Sequence, residues 1–266
     1  MLGRLTARTL WRHKWLVAGM ASVFNGFQVL MVAIAANLQR EGLFSQLASI
    51  VPANVQAAFG GNVIASFGGL VAFGFFHPVV VLALAVGAAY LAGELAGDVE
   101  EGLVDLIAAR PVSRALLVTR AALASALASA AIIGLMLAFN RGATIVLTPV
   151  GSTTPRVPGL MLLTLNLLAV TWCCGGAGLA IAALARKRST ATGTSALAFI
   201  SLYLLNFAAT WWAPARPVAR LSPFHYFDAM PILLGTHDPA RDIVGLLAAT
   251  AMLVVCASVA YARRDL

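Results

Sequence analysis

Five of the ten acidic residues of the chain, Glu94, Asp98, Glu100, Glu101 and Asp105, sit in one short stretch between two long apolar runs. Arg110 and Arg114 close that stretch. The chemistry open to such a patch is charge-based recognition. A charged, helix-patterned segment between apolar runs must lie in water, where it is placed to touch something.

Other chemistries find less support. His13, His77, His225 and His237 show no ligand spacing with Cys173, Cys174 and Cys256, so a metal site is not expected. The cysteines lie inside apolar stretches and read as reduced packing residues. Gly193-Thr194-Ser195-Ala196 has the outline of a serine site. Yet Ser195 falls near the end of its apolar run, and the last run holds no histidine to act as base. Only two lysines exist, Lys14 and Lys187, and neither follows glycine, so the chain carries no P-loop. His77, beside Pro78, reads as a hydrogen-bonding histidine at a kink.

The elements that must position the acidic patch follow from composition. The chain has 266 residues, 61% hydrophobic and 11% charged. A soluble domain is about 25% charged, so lipid is the expected solvent. Six segments read as membrane helices: 15–36, 73–93, 115–139, 159–185, 190–212 and 242–262. The run from Trp15 to Ala36 is too long for a signal-peptide core. A single transmembrane domain over residues 1–266 is expected: an all-α membrane protein of six spans.

The net charge of +8 need not mean nucleic acid, because the cations sort by side. Arg4, Arg8, Arg12, Lys14, Arg110, Arg114, Arg120, Arg186, Lys187, Arg188, Arg263 and Arg264 fall on one side. Arg40, Arg141, Arg156, Arg216, Arg220 and Arg241 fall on the other, three of them clustered between spans five and six. The positive-inside rule puts both termini and the 94–114 segment in the cytoplasm, in a cell (inner) membrane. Arg120, near the end of span three, is expected to snorkel.

Residues 1–14 alternate leucines with Arg4, Arg8 and Arg12 and read as an amphipathic helix on the inner surface, or else as a flexible basic tail. Within the acidic segment, Val99, Leu103, Leu106 and Ile107 share one face of a helix over 97–109. Pro111 stops that helix, and Ser113 can cap the next. Residues 63–76 suggest a short outer helix kinking at Pro78. The prolines of 213–241 predict short outer helices before span six. Ser22, Asn25 and Gln28, together with Asn206, could line a translocation path or bond neighbouring helices. Cys174 and Gly178 form a small-residue pair for close helix packing.

The run Glu94…Glu101-Gly102-Leu103-Val104-Asp105-Leu106-Ile107-Ala108-Ala109-Arg110-Pro111-Val112-Ser113-Arg114 resembles the cytoplasmic signature of type-2 ATP-binding-cassette exporter permeases. That family typically shows a Glu, then Glu-Gly-Thr-Leu-Glu, then an apolar stretch closed by Pro-Val-Ser-Arg. Here Leu103 replaces the Thr, Val104 the Leu and Asp105 the second acidic residue. The Leu221-Ser222-Pro223-Phe224-His225-Tyr226-Phe227 stretch is also similar to that family. The resemblance implies that 94–114 includes a coupling helix docking on a separate ATPase subunit. Glu94, Glu101, Gly102, Asp105, Arg110, Pro111, Ser113 and Arg114 would be its coupling residues. It further implies ATP and Mg held by that partner and no cofactor in this chain. A second permease subunit, identical or paralogous, would complete the pathway. Two rivals stay open: a non-transporting scaffold that recruits a soluble partner through the same segment, and an intramembrane enzyme acting on lipid.

Overall fold

The structure is a computed structural model that describes residues 2–44, 46, 66–102 and 113–264. The described residues form helices joined by turns, with no strand among them. The order is α1 (Leu2–Arg12), α2 (Lys14–Arg40), α3 (Phe67–Phe76), α4 (Pro78–Ala92), α5 (Glu94–Glu100), α6 (Arg114–Leu147), α7 (Val157–Leu184) and α8 (Arg188–Ala208). Short helical turns follow at Ala213–Ala215, α9 (Arg216–Ala219), Pro223–Tyr226 and α10 (Ala229–Leu234). The last helix among the described residues is α11 (Ala240–Ala262). Six helical segments are long and apolar enough to cross a membrane: α2, the α3–α4–α5 run, α6, α7, α8 and α11.

α7 is the hub, packing on α4, α6, α8, α10 and α11. Its glycines face different neighbours. A methyl group on Gly178 would collide with Ala89 of α4, one on Gly175 would press Ser125 of α6, and one on Gly176 would press Leu253 of α11. Missing side chains thus set the close approach of three helices to one, as the Cys174–Gly178 pattern leads one to expect. Large side chains fill the space around these contacts: Phe75, Leu84, Ile133, Leu163, Leu167 and Phe199 are all buried. Apolar side chains such as Val23, Leu30, Leu127, Leu165, Leu197, Val244 and Val255 point outward, forming the belt a bilayer requires.

The bundle has two ends. Arg12, Glu94, Arg114, Arg188 and Arg264 meet at one, so both termini lie on the same face. At the far face Arg40 reaches Leu147, Gly68 lies against Pro155, and Gly159 lies against Leu233. The α3–α5 run covers 34 residues. At about 1.5 Å per residue that is about 50 Å, against a hydrocarbon core of about 30 Å. The run is therefore longer than the apolar layer is thick, and its charged end, α5, is the part least suited to lipid.

Several sequence expectations need correction. Span three runs on to Leu147, past Asn140 and Arg141, because Asn140 is buried and donates to Gln28 Oε1 and to the Val71 carbonyl. Thr148, ahead of Pro149, is extended and ends the helix. Span five stops at Ala208, where Trp211 and Trp212 turn back to donate to its carbonyl. The helix expected over 97–109 is broken. α5 ends at Glu100, and Gly102 takes φ +66°, a left-handed conformation that suits glycine at a helix terminus. Residues 103–112 lie outside the described residues, and with them Asp105, Arg110 and Pro111.

The other local expectations fare better. Ser66 caps α3, and the chain bends at His77-Pro78, where His77 is non-helical. The His77 ring, however, forms no side-chain hydrogen bond among the described residues; it packs edge-on against Phe27 and Phe73. α1 is helical, but the face it buries against α6 carries Thr6 and Thr9, while Leu2, Leu5 and Leu10 stay half-buried.

Candidate functional site

Charge is organised most densely at the face that holds both termini. Glu94 begins α5 immediately after the turn at Gly93, and its side chain is only 3% exposed. A carboxylate in that setting needs partners. Glu94 Oε1 accepts from Arg12 Nη1 at 3.1 Å. Its Oε2 lies 2.8 Å from His13 Nε2 and 3.1 Å from Arg188 Nη1. Three chain segments therefore converge on one side chain: the end of α1, the α1–α2 junction and the start of α8.

The knot extends outward. Arg12 Nη2 donates to Glu101 Oε1 at 2.6 Å. The Arg188 backbone N–H donates to Glu100 Oε2 at 2.9 Å, and its guanidinium lies over the Tyr90 ring at 4.0 Å. One turn after Glu94, buried Asp98 accepts from Arg120 of α6. The i, i+4 spacing of Glu94 and Asp98 aims both carboxylates inward along one face of α5.

Electrostatics follow from this geometry. Burial alone would raise the Glu94 carboxyl. The His13 hydrogen bond, then the charges of Arg188, His13 and Arg12, outweigh burial and bring it from 4.5 to about 2. Asp98 goes the other way: burial pushes its carboxyl up, and Arg120, with a smaller contribution from Arg12, only partly opposes this. The Glu94 charge, aided by the Glu101 hydrogen bond, holds the Arg12 guanidinium above its ordinary value.

The predicted coupling residues divide on this frame. Glu94 and Glu101 join the knot through Arg12. Gly102 forms the turn after α5. Ser113 caps α6, accepting from Leu116 N at 3.3 Å. Arg114 forms no ion pair among the described residues. It donates to the backbone carbonyls of Ala262 and Arg264, at 3.0 and 2.6 Å, and so binds the C-terminal end of α11. A helix end leaves such carbonyls free to take a cation's donors.

Arg12, His13, Asp98, Arg120 and Arg188 were not singled out as site residues. Arg120 does not snorkel. It is buried because Asp98 gives it a counter-charge inside the bundle. A lone arginine in an apolar helix, facing a neighbouring acidic turn, is the signal that could have found this pair.

The four proposed pathway residues do not converge. Asn25 and Gln28 are buried, whereas Ser22 is exposed on the outside of α2. Steps of three residues fall about 60° short of a full turn, so Ser22 and Gln28 stand about 120° apart. Gln28 packs on Gly74 and accepts from Asn140, which ties α2 to α3 and α6. Asn206 lies near the far face and donates to the Phe224 carbonyl at 3.3 Å. Ser195 is buried, and its hydroxyl donates to the Ala191 carbonyl. No group of histidine, cysteine and carboxylate side chains that could hold a metal occurs among the described residues.

Comparison with protein-family models and with curated proteins gives no match.

Proposed function

We propose that this chain is the membrane-spanning permease subunit of an ATP-driven exporter of the type-2 ATP-binding-cassette kind. A separate ATPase, carrying ATP and Mg, docks on the 94–114 segment, and a second permease subunit completes the pathway. Both termini and α5 then face the cytoplasm, as the cation bias favours. The observation that carries this reading is the Glu94 knot. A push on the turn at Glu101-Gly102 meets Arg12 directly, through Arg12 reaches Glu94, and through Glu94 reaches His13 and Arg188. Displacement of that turn is shared among α1, α2, α4 and α8 rather than absorbed by a loose connector.

Such coupling works only if the ATPase binds the two membrane conformations differently; tight binding to both shifts neither. Glu94 serves as the internal tie and Glu101 as the exposed end of the linkage. Ser113 and Arg114 fix where the segment rejoins the bundle.

The test is charge reversal at Glu101 and Arg114 in the assembled complex. The expected result is weaker co-purification of the ATPase and loss of substrate-stimulated hydrolysis. Unchanged values for both would overturn the coupling role. Intact co-purification with no substrate response, in the unaltered complex, would favour the scaffold.

A further inference from the structure

At the far face a cavity of about 640 Å³ lies between the end of α8 and the short helices before α11. It falls within the size range of ligand sites, about 300–1,000 Å³. Its lining is divided. Phe76, Val81, Tyr203, Phe227 and Met230 supply an apolar and aromatic wall. Thr210, Arg216, Arg220, His225 and Asp228 supply the polar border, and all five are exposed.

Two observations about the arginines give this division a meaning. First, neither guanidinium has a carboxylate within 4.0 Å among the described residues. Arg216 makes one long hydrogen bond, Nε to the Ala209 carbonyl at 3.4 Å. The Arg220 side chain makes no hydrogen bond among the described residues; only its backbone carbonyl is used, by Tyr226. The one carboxylate at the border, Asp228, forms no ion pair within 4.0 Å with either arginine among the described residues. Second, these arginines break the cation bias, since they lie on the side where cations are few. Topology does not call for them there. A bound anion does.

We propose that this cavity is a binding site for an acidic amphiphile: a molecule with a phosphate-like or carboxylate headgroup on Arg216 and Arg220 and an apolar tail against the aromatic wall. Guanidinium suits an oxyanion because its fork of donors matches two oxygens at once. The Tyr203 hydroxyl has no hydrogen-bond partner among the described residues and adds a donor beside the tail. The inference goes beyond the permease reading and does not rest on it, because binding needs neither ATPase nor transport.

The experiment uses the full chain in phosphatidylcholine nanodiscs with a phosphatidylglycerol probe that carries a diazirine beside its headgroup. Irradiation and peptide mapping should place label within residues 203–231. Unlabelled phosphatidylglycerol should displace the probe, and added phosphatidylcholine should not. Arg220→Gln should cut labelling about fivefold, and the Arg216→Gln, Arg220→Gln double variant further. A matched phosphatidylcholine probe labelling the segment equally would overturn the proposal. So would unchanged labelling in Arg220→Gln, whose near-native melting temperature would show that the fold is intact. Displacement by inorganic phosphate alone would reduce the site to a free-anion site and overturn the amphiphile. A soluble short-chain phosphatidylglycerol competing as well as the bilayer lipid would support it, with the ligand drawn from water.

Discussion

At the face that holds both termini, Glu94 and Asp98 are buried and each meets an arginine. At the far face Arg216 and Arg220 border an open cavity, and neither has a carboxylate within 4.0 Å among the described residues. The same residue type does opposite work at the two ends. Paired with a buried carboxylate, arginine fixes the position of helices, because moving it away leaves that carboxylate stranded in an apolar setting. Exposed and unpaired, it adds little to the fold and stays available to a ligand. Substitutions at the two ends should therefore differ sharply in what they disturb, and the comparison stands or falls on that difference.

The largest effect is expected at Glu94. Glu94→Ala removes the buried partner that Arg12, His13 and Arg188 share, and loss of a buried partner costs about 3–5 kcal/mol. Thermal unfolding of the purified protein in detergent should show a fall in melting temperature of several degrees or more. An unchanged melting temperature would mean that the knot does not hold these helices.

Asp98 and Arg120 sharpen the point, because they form a simpler buried pair. Asp98→Leu and Arg120→Met alone should each destabilise by about 3 kcal/mol, whereas the double substitution should recover most of the loss, since an apolar pair of similar size is well tolerated. A double variant as unstable as the sum of the singles would show that the two side chains do not act as a pair.

Acid should loosen the same end. The folded Glu94 carboxyl is depressed to about 2 from 4.5. A depressed carboxylate adds stability above the unfolded value, and the contribution is lost as pH falls through the folded value. The stability gap between the natural protein and Glu94→Gln should shrink as pH falls below about 4.5 and close near 2. Unfolding curves of both proteins across that range check this. A gap that widens toward acid would reverse the assigned sign.

The two ends were unequally legible in the sequence. The helices could be read because an apolar run of about 20 residues has few other fates in lipid. The Ser113 cap was visible because its signal is local. The knot was not visible, because its contacts join Glu94 to Arg12 and Arg188, residues far away in sequence that meet only once the helices have packed. Asn140 misled for a related reason. Alone it reads as the end of a span, but beside Gln28 it is an interior bond. At the far face, prolines announced short helices, yet no local pattern announces a cavity that four separate segments enclose.

The smallest effect is expected at Arg220, and that smallness is itself the test. Its side chain makes no hydrogen bond or ion pair among the described residues, so Arg220→Gln should move stability by no more than about 0.5 kcal/mol. Melting curves in detergent and in nanodiscs of neutral lipid should nearly superimpose on those of the unaltered protein. In nanodiscs containing phosphatidylglycerol they should separate, because a ligand that binds only the folded state raises its stability in proportion to occupancy. The separation is the informative quantity. If it persists in neutral lipid, Arg220 holds the fold as Arg12 does, and the contrast between the two faces fails. If it grows with the fraction of anionic lipid, the free guanidinium at the far face is a recognition element, while the guanidinium of Arg12 is a fastener.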